Sequence, residues 1–150
     1  MWTFNSRGGR EVTLIPEATA IIQDLYNKNW KYELPKPVRL FYVSRCYRYE
    51  RPQAGRYREF TQFGVEILGP KPEEYEIESK KILRGLLDMS NIDYEFDDEV
   101  VRGLSYYTRN GFEARAENLG AQKQVAGGGI YAEGCGFAIG VDRVLLSSYK

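Results

Sequence analysis

The sequence predicts an α+β fold in which an antiparallel β-sheet is flanked by helices. Stretches of period-2 alternation recur along the chain, whole helical stretches interrupt them, and most of the strands are joined by turns too short for a parallel crossover. Residues 2–4 and 11–14 read as two short strands around the turn Asn5-Ser6-Arg7-Gly8-Gly9. Pro16 opens a helix where its missing N–H is harmless, and Ala18, Ile21, Ile22 and Leu25 form one stripe that should end near residues 27–30. After the break Pro35-Lys36-Pro37, residues 38–50 and 57–68 are two long strands. Pro72-Glu73-Glu74 starts a second helix, acids first and Lys80, Lys81 and Arg84 later, with Ile77, Ile82, Leu83, Leu86 and Leu87 on its buried side. Strands follow at 94–96, 104–108, 112–117, 122–128 and 136–139, with Asn118-Leu119-Gly120 as a hairpin turn and a last helix over 141–148.

A chain of 150 residues can bury a real core, and one domain over residues 1–150 is expected. Basic and acidic residues are balanced at 21 each, so no global positive field advertises nucleic acid. The basic groups concentrate locally, from Arg39 to Arg58. With no long apolar run and no charged-then-apolar leader, neither a membrane span nor a secretory signal is expected. Cys46 and Cys135 make no disulfide framework, so a reducing, cytoplasmic location is the expectation. The absence of histidine excludes Ser-His-Asp and Cys-His catalysis and the usual zinc sites within the chain, and no metal-ligating set is predicted. There is no Walker-type phosphate loop, and Gly127-Gly128-Gly129 lacks the strand-turn-helix setting of a dinucleotide fingerprint.

The chemistry concentrates between Arg48 and Glu66, RYERPQAGRYREFTQFGVE, where four arginines and three glutamates interleave with Tyr49, Tyr57, Phe60 and Phe63. Alternation puts Arg56, Arg58, Phe60, Gln62, Gly64 and Glu66 on one face and Tyr57, Thr61, Phe63, Val65 and Ile67 on an apolar back. Guanidinium forks, an aromatic plate and carboxylates suit a ligand with phosphates, a flat ring and an ammonium group. Taken alone, Arg48 with Glu50 could be a surface ion pair, Glu17 could serve only the dipole of its helix, and Arg143 could be a solvated helix charge.

The same stretch resembles motif 2 of the class II aminoacyl-tRNA synthetases in the form used by histidyl-tRNA synthetases: an arginine and a glutamate flanking one residue, a Pro-Gln-x-Gly-Arg-Tyr-Arg loop, then Phe-x-Gln-x-Gly-x-Glu. VRGLSYYT from Val101 resembles the family's first histidine-recognition block, AGGGIY from Ala126 the second, GFAIGVDRVL from Gly136 motif 3, and LIPEATA from Leu14 the segment Leu-Arg-Pro-Glu-x-Thr-Ala. The resemblance implies a class II synthetase-like antiparallel sheet and a site for ATP, with Mg²⁺, and for histidine or a related small molecule. It implies that Arg48 holds the α-phosphate and the amino-acid carboxylate, Glu50 the adenine amine, Arg56 the outer phosphates and Phe60 the adenine face. Arg58 belongs to the same ATP site, and Arg143 would stack on adenine and touch the γ-phosphate. Arg102 would reach the α-phosphate and, with Arg48, carry the catalysis. Glu17, Thr19, Gln62 and Glu66 would hold the ammonium and imidazole groups, helped by Tyr106, Tyr107 and Tyr131, while Gly127 and Gly128 let the amino acid lie flat on the sheet.

Motif 1, the large domain inserted between motif 2 and Arg102, and an anticodon-binding domain have no counterpart in the chain. Ile15, Ser105, Gly111, Ile130 and Ala132 depart from the family pattern, which bears on histidine specificity more than on ATP. The expectation is a minimised catalytic core that forms an aminoacyl adenylate. The alternative is a non-catalytic paralogue or an engineered binding scaffold on the same fold. Contact with tRNA is expected to be weak, and the chain to be a monomer or a dimer through a non-family interface near Trp2 and Trp30.

Overall fold

The computed structural model describes residues 1–148. A two-stranded ribbon, β1 (Thr3–Asn5) and β2 (Glu11–Thr13), leads into helix α1 (Thr19–Leu25), which continues through a π-helical turn (Tyr26–Trp30) and a short α2 (Lys31–Glu33). The main sheet holds β3 (Val38–Tyr47), β4 (Glu59–Leu68), β5 (Glu95–Val100), β6 (Gly111–Arg115), β7 (Gln124–Tyr131) and β8 (Gly134–Gly140). Its order is β3-β4-β8-β7-β6-β5, every neighbouring pair antiparallel. A 3-10 turn (Pro72–Tyr75) and helix α3 (Glu76–Met89) connect β4 to β5, and α4 (Val141–Ser148) follows β8.

The expected sheet with flanking helices is the observed architecture. Alternation divides its two faces. Phe63, Val65, Ile67, Phe112, Phe137 and Ile139 meet Leu83 and Leu87 of α3 and Val144 of α4 in the larger core. On the other face Ala18, Ile22 and Tyr26 pack with Val38, Leu68 and Tyr131 in a smaller one, which seats α1 beside an open region of the sheet.

Several local expectations are corrected. Residues 104–108 are a turn, not a strand: Tyr106 and Tyr107 lie side by side, ring centroids 4.7 Å apart, where alternation would have sent them to opposite faces. Only Tyr107 makes a single bridge, to Tyr131, and the Thr108 N–H donates to Ile130 O. Helix α1 begins at Thr19, and Glu17 precedes it, accepting the N–H groups of Thr19 and Ala20 at 3.1 Å each. Ile77 is 82% exposed, because the buried stripe of α3 runs through Ser79, Leu83 and Leu87. Residues 48–58 are a loop rather than strand ends: Arg48 N–H still reaches Arg58 O, but Gln53, Gly55 and Arg56 make a tight turn with Gly55 at φ 73°.

Candidate active site

The open region is a cavity of about 480 Å³ above β4, β8 and β7. Its walls are the loop after β3, the approach to α1, the turn at residues 102–107 and the start of α4. The loop brings Arg48, Glu50 and Arg56, and β4 brings Phe60 and Gln62. Glu17 and Thr19 come from the α1 end, Arg102, Tyr106 and Tyr107 from the turn, Gly127 from β7 and Arg143 from α4. All were predicted from sequence as site residues, and the fold gathers them from positions more than a hundred residues apart around one volume.

At the end walled by the loop after β3, the Arg48 guanidinium lies 4.9 Å from the centre of the Phe60 ring and its Nε donates to Pro16 O at 3.0 Å. Arg56 Nε donates to Glu50, so that carboxylate is neutralised within the loop. Arg143 donates from Nε to Gly55 O at 2.6 Å and from Nη1 to Gln124 O at 2.8 Å, tying the loop to β7. Burial, with Arg48 nearby, lowers the proton affinity of Arg143 below the ordinary value for arginine. Asp142, at the start of α4, accepts the Thr61 N–H at 2.7 Å and fixes that helix to β4.

At the other end two carboxylates sit at different depths. Glu17 accepts the Tyr106 hydroxyl at 3.1 Å and lines the cavity. Glu66 lies beneath the floor, fully buried, accepting Thr19 Oγ1–H at 2.7 Å and the Tyr131 hydroxyl at 2.6 Å. Desolvation pushes its pKa up to about 7, against the pull of those two hydrogen bonds. Burial likewise raises Tyr107 to about 12 and moves Tyr106 and Tyr131 upward, so all three phenols stay protonated donors at neutral pH. Gln62 is steadied from the side by Cys46, whose thiol donates to its Oε1 at 3.3 Å.

Four predicted residues lie away from the cavity lining. Arg58 turns outward, its guanidinium 4.8 Å from the Tyr49 ring centre and 5.9 Å from that of Trp2, with Nε on Glu50 O. Glu66 and Tyr131 are enclosed below the floor. Gly128 faces the opposite side of the sheet, against Phe112. Conversely, sequence reasoning missed Glu113 of β6, which accepts Arg102 Nη1–H at 3.2 Å and Arg115 Nε–H at 2.6 Å. It also missed Gln124, Asp142 and the Pro16 carbonyl. Glu113 was recoverable from its alternation with Gly111 and Arg115; a backbone carbonyl leaves no such signal.

Known proteins resemble this chain in both sequence and fold. Residues 2–138 match the family model of the tRNA synthetase class II core domain (G, H, P, S and T). Histidine–tRNA ligases of Desulforamulus reducens and Methanosarcina acetivorans are 29% and 31% identical to the chain, over 100% and 97% of it and 60% of their own length. The chain thus spans about 60% of the curated relatives it matches, and the D. reducens alignment extends over 252 residues, so the relative has residues with no counterpart here. The crystal structure of apo Staphylococcus aureus histidyl-tRNA synthetase superposes with a TM-score of 0.80 at 25% identity, covering 98% of this chain and 55% of that one. A Bacillus halodurans structure described as an ATP phosphoribosyltransferase regulatory subunit/histidyl-tRNA synthetase shares the fold, with a TM-score of 0.80 at 15% identity, over 99% of this chain and 68% of that one. By the family match and the sheet that carries it, this chain belongs to the class II tRNA synthetase core domain family, and it resembles histidyl-tRNA synthetases in sequence and fold.

Proposed function

We propose that residues 1–150 are a minimised class II catalytic domain that binds ATP and an amino acid, histidine or a close relative, and forms the aminoacyl adenylate. The observation that carries this reading is the convergence of Arg48, Arg102 and Arg143 with Phe60 and Glu17 on one cavity. Three guanidinium groups match a triphosphate, an aromatic plate matches a base, and a carboxylate beside Thr19 and Gln62 matches an ammonium group.

In the proposed reaction a carboxylate oxygen of the amino acid attacks the α-phosphorus in line. The new P–O bond forms as the bond to the bridging oxygen breaks, and pyrophosphate leaves. Positioning and charge neutralisation supply most of the acceleration, and no side-chain nucleophile is needed. Arg48 and Arg102 hold the α-phosphate, Arg56 and Arg143 the outer phosphates, Phe60 the adenine and Glu50 its amine. Glu17, Thr19 and Gln62 hold the ammonium group, while Glu66 acts through Thr19 and Tyr131. Mg²⁺ belongs here to the nucleotide substrate, taking most of its coordination from phosphates and water. That role needs no cage of three acidic side chains, and the described residues hold none.

A second reading keeps the fold as a non-catalytic binding or scaffold domain. Ser105, where the family's first recognition block has an acid, and Ile130, 2% exposed in the core where the second has an arginine, favour it. The cytoplasm is the inferred location, and no described helix is long and apolar enough to cross a membrane. ATP–pyrophosphate exchange, measured with each amino acid in turn, separates the readings. Exchange with one amino acid supports the enzyme; ATP binding without exchange supports the scaffold.

A further inference from the structure

Arg102 owes its place to two glycines and a glutamate of β6 and β7. Its side chain crosses β6 and β7, passing over Gly111 and Gly127. A Cβ at Gly127 would stand 2.5 and 2.6 Å from the two terminal nitrogens of Arg102 and 2.6 Å from Gln124 Nε2. A Cβ at Gly111 would stand 2.7 Å from Arg102 Cγ. Glu113 lies directly across from Gly127 in the strand register and accepts Arg102 Nη1–H, its other oxygen taken by Arg115. The two side chains are 15% and 12% exposed, and Arg102 Nε is buried without a hydrogen-bond partner although the residue lines the cavity.

Gly127 differs from its neighbours in what excludes a side chain. At Gly111 and Gly128 a Cβ would also collide with a backbone carbonyl, so the sheet itself demands glycine there. At Gly127 the nearest atoms all belong to the ends of two flexible side chains, Arg102 and Gln124. The backbone there would accept alanine; the arginine would not.

We propose that Gly127 and Glu113 are positioning residues for Arg102: Gly127 provides the floor of a side-chain-free trough in which the guanidinium lies, and Glu113 closes its end. One N–H of the fork is committed to Glu113, while the buried Nε–H has no partner and adds no anchor of its own. The kinetic consequence rests on the proposed adenylate chemistry; the placement of Arg102 does not. A fixed cation acts without reorganising as charge develops, so displacing it weakens the chemical step more than ground-state binding.

The test uses Gly127→Ala and Glu113→Gln in the full chain with two readouts. The first is the rate at which an arginine-specific dicarbonyl reagent labels Arg102, read by mass spectrometry against Arg48 in the same digest. It is expected to rise several-fold in both variants with Arg48 unchanged, and equal labelling of Arg102 in parent and variants overturns the proposal. The second is exchange kinetics: kcat is expected to fall about tenfold or more in Gly127→Ala with KM for ATP nearly unchanged. Parallel losses in kcat and ATP affinity would make the trough a general structural requirement and overturn the positioning role. A parent that shows no exchange sinks the adenylate reading alone, since labelling still decides the trough. Should Gly127→Ala fail to fold, the claim that its backbone accepts alanine is wrong, and Glu113→Gln, which preserves shape, decides the rest.

Discussion

The Tyr131 hydroxyl donates to Glu66 at 2.6 Å from two strands away, across β8. The reach is possible because Gly136 of β8, directly opposite Glu66, has no side chain to stand where the carboxylate passes. With Thr19 on its other oxygen, Glu66 is a fully buried acid whose two acceptor oxygens are both partnered.

A pH dependence follows. The folded pKa of about 7 lies above the ordinary glutamate value of 4.5, so the folded state holds this proton more tightly than the unfolded chain. The stabilisation is complete below the unfolded pKa and is lost as pH rises through 7, on the order of 3 kcal/mol in all. Denaturant unfolding at pH 5 and pH 8 should show the parent losing stability across that interval, and Glu66→Gln losing less by about that amount. Equal losses in both would mean that Glu66 is ionised throughout.

Phe60 presents an aromatic ring that carries Arg48 over its face. Stacking a base on such a plate contributes about 1–3 kcal/mol, so Phe60→Ala should weaken ATP binding about tenfold or more. Calorimetric titration reads this directly; unchanged affinity would remove the adenine site from the proposal.

Arg102→Ala should lose exchange activity by about 10²–10³ while ATP affinity changes far less, because the cation matters most where charge builds up. Comparing kcat with ATP affinity in the variant checks this. Proportionate losses would make Arg102 a ground-state ligand.

Arg143 makes two hydrogen bonds to carbonyl oxygens from a half-buried position, and one of them holds the turn at Gly55. Lysine has no planar fork to satisfy both. Arg143→Lys should therefore cost about 1.5–3 kcal/mol and speed amide exchange in residues 51–57 relative to β4. Undisturbed exchange in that loop would show that it is ordered by its own turn.

Free edges invite association, and the surface expected near Trp2 and Trp30 is less exposed than another. Trp2 packs edge-on against Tyr49 and Trp30 against the α1 cluster, whereas Phe41 and Val43 on the sheet-edge strand β3 are 72% and 67% exposed. Any concentration-dependent association seen by sedimentation should be reduced more by Phe41→Lys than by Trp2→Ser with Trp30→Ser. The reverse order would locate the contact at the tryptophans.

The legible parts of the fold are those governed by short-range rules. Alternation through Phe63, Val65 and Ile67 marked the buried back of β4, and the acid-then-base order marked α3. The misreadings have tertiary causes. Tyr106 and Tyr107 looked like strand residues because their type favours strands, yet both rings are drawn to one side, toward Tyr131 and Glu17. Gly127, read as room for an amino acid, does line the cavity, but nothing in the sequence signals that Arg102 lies over it. Such occupancy depends on which strand lies beside which, and spacing along the chain does not encode it.

The strand order has a consequence for the chain's biosynthesis. β8, the last of the described strands in sequence, is the one that joins β3-β4 to β7-β6-β5. Until it emerges, Arg48 and Phe60 belong to one hairpin and Arg102 and Glu113 to another group, linked along the chain by the segment that carries the 3-10 turn and α3. The two halves can close only once β8 has been made, and such long-range closure is a slow kind of folding. At the proposed ATP site, nucleotide would stabilise only a sheet that includes β8, not a nascent chain stalled before Gly134.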